Sequence, residues 1–134
     1  MIELEQISPS KMTERDAHWL QRGCEGAWDK ATASDQIAAV NNGSAFLFRI
    51  SGDMEGIIVL AIGNKRDRSI LITALAGKGL FEHFPEFYQK VRELCKSVGA
   101  KTLYGFVNRP GLKLVYQRKT TARAAATLFV EDLT

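Results

Sequence analysis

Three apolar runs follow one another between Ser44 and Gly77: "SAFLFRIS", "GIIVLAIGN" and "SILITALAG". Each has the length of a strand, and the turn-rich "SGDMEG" and "NKRDRS" that separate them are too short to carry a crossover. The spacing therefore predicts a meander of three antiparallel strands. The second and third runs are almost wholly apolar, as strands covered on both faces are. The remainder of the chain has to supply that cover.

Its patterning does so. "IELEQIS" alternates as a short strand ended by Pro9. Met12, Trp19, Leu20, Ala27 and Trp28 then recur at helical spacing, interrupted by Gly23 and Gly26, with Thr13 or Ser10 as the cap and Asp16 three residues after Thr13. "TASDQIAAVNNG" reads as a second short helix, opened by Ser34 or Thr32 and stopped by Asn42-Gly43. Phe84, Phe87, Tyr88, Val91, Leu94, Cys95 and Val98 mark a long amphipathic helix ended by Gly99. Proline fits only a first helical turn, so Pro85 sets the start no earlier than about His83 and makes "LFEHF" a separate turn. "KTLYGFV" is a strand, "RPGLKLVYQRK" a two-turn helix opening on Pro110, and "AAATLFVEDL" a closing strand. The result is an α/β (α+β) chain, order β-α-α-β-β-β-α-β-α-β, with a mixed and mainly antiparallel sheet. A length of 134 residues suits a single domain, 1–134.

Charge and special residues narrow the chemistry. Lys and Arg number 18 against 15 acids, a net +3, and no block of like charge occurs. The C-terminal quarter is locally basic (Lys113, Arg118, Lys119, Arg123) but has no interleaved aromatics for base stacking, so nucleic acid is not indicated. Cys24 and Cys95 stand 71 residues apart and read as two buried free thiols. The two histidines, His18 and His83, form no metal-ligand spacing, so no metal is expected. No apolar run reaches spanning length and no signal-peptide core opens the chain, which leads to the expectation of a soluble, intracellular protein.

Residues 70–133 resemble the GNAT family of acetyl-CoA-dependent N-acetyltransferases, through "ILITALAGKG", the helix ending "SVGAKTLYGFVN", then "NRPGLKLVYQRK" and "TLFVEDL". The resemblance implies a coenzyme A pyrophosphate held by backbone N–H groups in the loop after the fourth strand. Gly77, Lys78 and Gly79 with Leu75 fall at that loop, Asn108 ends the fifth strand, and Tyr116 takes the position of the acid that protonates the departing thiolate. Three features of the residues stand against catalysis. The fourth strand offers Ser69 and Thr73 as its polar groups and no base, which leaves Glu82 or water to take the amine's proton. Leu112, Val115 and Tyr116 also read as the buried stripe of a short helix. "KTTARA" replaces the Gly-aromatic pair that follows the family's tyrosine.

"GKGLFEHFPEF" with "NRPGLKLVYQR" is similar, more narrowly, to small GNAT-like proteins of tailed bacteriophages, the internal virion proteins among them. Two functions are thus expected of the chain. One is a non-catalytic, phage-encoded, virion-associated scaffold that binds a protein partner, such as a phage structural protein, in the bacterial host cytoplasm or the particle, without a cofactor. The other is an active N-acetyltransferase using acetyl-CoA toward an amine of a small molecule or protein.

Overall fold

The three apolar runs pair as a meander. In the computed structural model, which describes residues 1–25, 31–63, 66, 68–106, 123–125 and 128–133, they form β2 (Ala45–Gly52), β3 (Glu55–Ile62) and β4 (Ser69–Lys78). β1 (Ile2–Gln6) adds antiparallel to β2. Two helices, α1 (Glu14–Cys24) and α2 (Ala33–Asn41), lie between β1 and β2 in the chain, and α3 (Phe84–Ser97) crosses from β4 to a parallel β5 (Thr102–Phe106). β6 (Arg123–Ala125) and β7 (Leu128–Asp132) complete a sheet of order β1-β2-β3-β4-β5-β7-β6. The single closing strand expected from "AAATLFVEDL" is here two strands paired antiparallel, with β7 also paired to β5. The expected helix from Pro110, and with it Tyr116 and Asn108, lies outside the described residues, as does Trp28.

Both faces of the meander are covered, for the reason the apolar runs required. α3 packs Phe84, Phe87, Val91 and Cys95 on Ile50, Ile58 and Ile72. On the opposite face Leu20 of α1, with Trp19 and Ile37 half-buried beside it, packs on Leu47, Ile57 and Val59. The two cysteines therefore sit on opposite sides of the sheet. Cys95 is buried as expected, and its thiol is pushed up to about 12 by desolvation. Cys24 is only half-buried, because α1 ends there and its last turn is covered on one side.

Local chemistry sets the helix limits. Thr13 and Asp16 form a reciprocal capping box on α1, at 3.1 and 2.9 Å, and Thr32 and Asp35 do the same on α2, at 3.2 and 2.8 Å. Pro85 stands in the first turn of α3, after His83 at the cap, so the helix starts where the proline demanded. Gly99, at φ 84, ends it.

Asp16 has a second task. Its carboxylate is buried and accepts from Arg49 of β2 at 2.6 Å (Nη2) and 3.0 Å (Nε), which ties α1 to the sheet. The Arg49 hydrogen bonds, more than the Thr13 amide, hold its carboxyl below the ordinary carboxylate value. A lowered folded value means that this stabilisation is whole above the ordinary carboxylate range and disappears as pH falls through the lowered value. Asp16→Ala removes the carboxylate half of the capping box and leaves Arg49 with only Glu5 and the Lys11 carbonyl, and we expect a loss of about 2 kcal/mol at neutral pH. Urea unfolding measures this, and the difference between wild type and variant should shrink steadily on acidification.

Candidate functional site

β4 carries one residue more than β3 can match. Val59 pairs with Ala74 and Leu60 with Ile72, so Thr73 is the extra residue of a β-bulge. Its hydroxyl donates to Oε1 of buried Gln36 on α2 at 3.1 Å, with the Val59 carbonyl 3.4 Å away as a second acceptor. The pairing of β4 with β5 runs from Ser69 to Ile72 and ends at this bulge. Residues 73–78 remain paired to β3 on one side. On their other side no strand pairs with them among the described residues. A strand bonded on one side only presents alternate N–H and C=O groups on the other.

The expected cofactor residues lie along this half-edge. Leu75 turns its side chain toward the α3-side core, and its backbone is approached by Gly23 of α1. A Cβ on Gly23 would stand 3.0 Å from the Leu75 nitrogen. Gly77 pairs with Gly56, and a Cβ on Gly77 would lie 2.3 Å from the Glu55 carbonyl oxygen. Packing against β3 is thus a sufficient reason for glycine at 77. Lys78, exposed, ends the strand opposite Glu55. The Glu55 carboxyl is held below its ordinary value mainly by the ion pair with Arg15, with Lys78 a lesser cause.

Gly79 is a different kind of glycine. Its φ of 83 lies in the left-handed region, and a Cβ there would meet only ordinary van der Waals contacts, the nearest atoms being 3.5 Å away. Its carbonyl accepts from the His83 amide at 3.1 Å, so residues 79–83 make one helical turn ahead of α3. Buried Leu80 anchors that turn, while Phe81 and Glu82 are exposed. The separate turn expected for "LFEHF" is therefore present, and α3 follows it immediately, with Pro85 in its first turn bringing no N–H. Asp53 stands beside the turn, its carboxyl lowered mainly by the Met1 amino group and least by His83.

Glu82 follows β4 in the turn after Gly79, while Thr73 lies at the bulge within the strand. Thr73 to Gly79 is six residues, about 20 Å at ~3.3 Å each, and Glu82 lies beyond Gly79. The expectations at Leu75, Gly77, Lys78, Gly79 and Glu82 are thus brought onto one strand and its following turn; Asn108 and Tyr116 lie outside the described residues. Sequence reasoning missed Gln36, the partner of Thr73, and the close approach of Gly23. The one signal for either was the interruption of α1's pattern at Gly23. Among the described residues no group of His, Cys, Asp and Glu is placed to hold a metal, and no helix is long and apolar enough to cross a membrane.

The overall fold is shared with solved structures. A Bacillus subtilis acetyltransferase in complex with CoA superposes with a TM-score of 0.71 at 15% identity, with 100% of each chain covered. A GNAT-family acetyltransferase from Staphylococcus aureus gives 0.64 at 11% identity, again over 100% of each chain. The ribosomal-protein-S18-alanine N-acetyltransferase of Escherichia coli gives 0.65 at 9%, covering 100% of this chain and 95% of that one. No family model and no curated protein matches the sequence. The chain has the GNAT acetyltransferase fold.

The two glycines separate by experiment. Gly79→Ala forces an alanine into the left-handed region where there is room for it, and should cost about 1 kcal/mol. Gly77→Ala drives a methyl group into the β3 backbone and should cost about 2–3 kcal/mol. Urea denaturation of both variants checks the order.

Proposed function

We propose that the chain binds acetyl-CoA along residues 73–79 and transfers the acetyl group to an amine. The observation that carries this reading is the half-edge of β4, which runs from the Thr73 bulge into the left-handed Gly79 and the turn that follows. When bound, acetyl-CoA supplies an acetyl thioester, whose carbonyl carbon bonds to the amine nitrogen as the C–S bond breaks. The residues present fit such a molecule on chemical grounds. The free N–H and C=O groups of 73–78 pair with an amide-bearing chain as an added strand would. The Gly79 turn and the start of α3 offer N–H groups to an anion, and Lys78 adds a cation at the same end.

The proton inventory assigns the remaining roles. Glu82 stands in the turn that follows Gly79, so it is assigned to the phosphate end, and water takes the amine's proton. Tyr116 is assigned to donate to the departing thiolate, and Asn108 to bind the cofactor. Both assignments rest on the resemblance of "NRPGLKLVYQRK" to the family pattern.

A second reading has its own observation. No residue of β4 from Ser69 to Lys78 is a carboxylic acid or a histidine, and Pro85 lowers the number of N–H groups at the helix start. On that ground the fold would serve as a non-catalytic scaffold for a protein partner, phage-encoded and virion-associated.

Thermal denaturation with acetyl-CoA separates the two. At a hundred times its dissociation constant the ligand should add about 2.7 kcal/mol of stability. Lys78→Glu should weaken that binding about tenfold, Gly79→Pro should remove it, and thiol release should depend on an added amine. No shift at millimolar acetyl-CoA would end the enzyme reading. Co-purification with a defined partner or particle would then support the scaffold, and its absence would count against it.

A further inference from the structure

The end of β4 away from Gly79 borders a second concavity. α3 stops at Ser97, but the sheet face beneath it continues through Phe46 and Ile62, which are 38% and 47% exposed. Together with Val98, 68% exposed at the end of α3, they rim a groove of about 540 Å³. Phe48, Leu60 and Cys95 form its buried floor. The volume lies within the range of small-molecule sites, roughly 300–1,000 Å³, and the walls are apolar as such walls usually are. Its Cys95 floor is 12 residues along α3 from His83, about 18 Å at ~1.5 Å per residue, and none of residues 73–79 lines it, so it is not part of the acetyl-CoA reading.

The charge at its mouth selects the occupant. Arg68 is the one charged side chain among the described lining residues, and it makes no ion pair among the described residues. Its backbone is held: φ is 47, its carbonyl accepts from the Lys101 amide at 2.9 Å, and the next carbonyl, Ser69, accepts from Gly63 at 2.9 Å. A twofold contact with a second copy would set this patch on itself. That would bring guanidinium to guanidinium with no carboxylate among the described lining residues to pair either. The complement is instead an apolar body carrying one anionic group. We propose that the groove binds a free medium-chain carboxylate, its chain against Phe46, Phe48, Leu60 and Ile62 and its carboxylate on Arg68.

Calorimetric titration of the full chain with monomeric decanoate tests this, with decylamine as the cation of equal chain length. Decanoate should bind saturably at one site and decylamine at least tenfold more weakly. Arg68→Asn suits the left-handed backbone and should cost about tenfold in decanoate affinity. Ile62→Glu, at an exposed position, should abolish binding with the melting temperature unchanged. Three results would overturn the proposal: no saturable heat up to millimolar decanoate, equal affinity for the two amphiphiles, or sedimentation as a dimer that Ile62→Glu dissociates.

Discussion

The extra residue at Thr73 is the constraint on which the rest of the architecture depends. A bulge bends its strand and raises the local twist, and this one, between β3 and β4, falls where pairing to β5 ends. The polar atoms exposed there are managed locally: the Thr73 hydroxyl turns to Gln36, and the Val59 carbonyl stays within reach. Because Gln36 comes from α2, the helix layer on that face is joined to the point where the sheet opens. The opening is therefore braced from the side rather than left to the strands alone.

Close backbone approach is the second theme. Gly23 brings α1 onto Leu75, and Gly56 with Gly77 brings β3 and β4 together where side chains would collide. These glycines narrow the molecule along one line, from α1 through β4 to β3. The Arg49–Asp16 and Arg15–Glu55 ion pairs flank the same line and join α1 to β2 and β3. Packing of the helix on the strand is thus held at both its apolar middle and its polar margin.

Much of this could be read from particular residues. Thr13 with Asp16 announced the start of α1, the two apolar runs of β3 and β4 announced cover on both faces, and Pro85 fixed where α3 begins. Each acts through neighbours within a few positions, so local chemistry decides the outcome. The bulge had no such marker, since no glycine or proline lies within three residues of Thr73 and its extra place exists only relative to β3. The division of the last strand into β6 and β7 was hidden for the same reason, because it depends on β5. Gly77 was misleading in another way. A glycine demanded by the adjacent strand and one demanded by a ligand look alike until the neighbour is in place.

The unequal thiols give the molecule an internal reporter. With Cys95 sealed under α3 and its thiol near 12, a thiol-directed reagent at neutral pH meets Cys24 in preference. Cys24 adjoins Gly23, the residue that rests on the Leu75 backbone at the half-open edge of β4. A single environment-sensitive label would therefore stand next to the strand where the sheet opens, and could register events there in the native chain without any engineered attachment point.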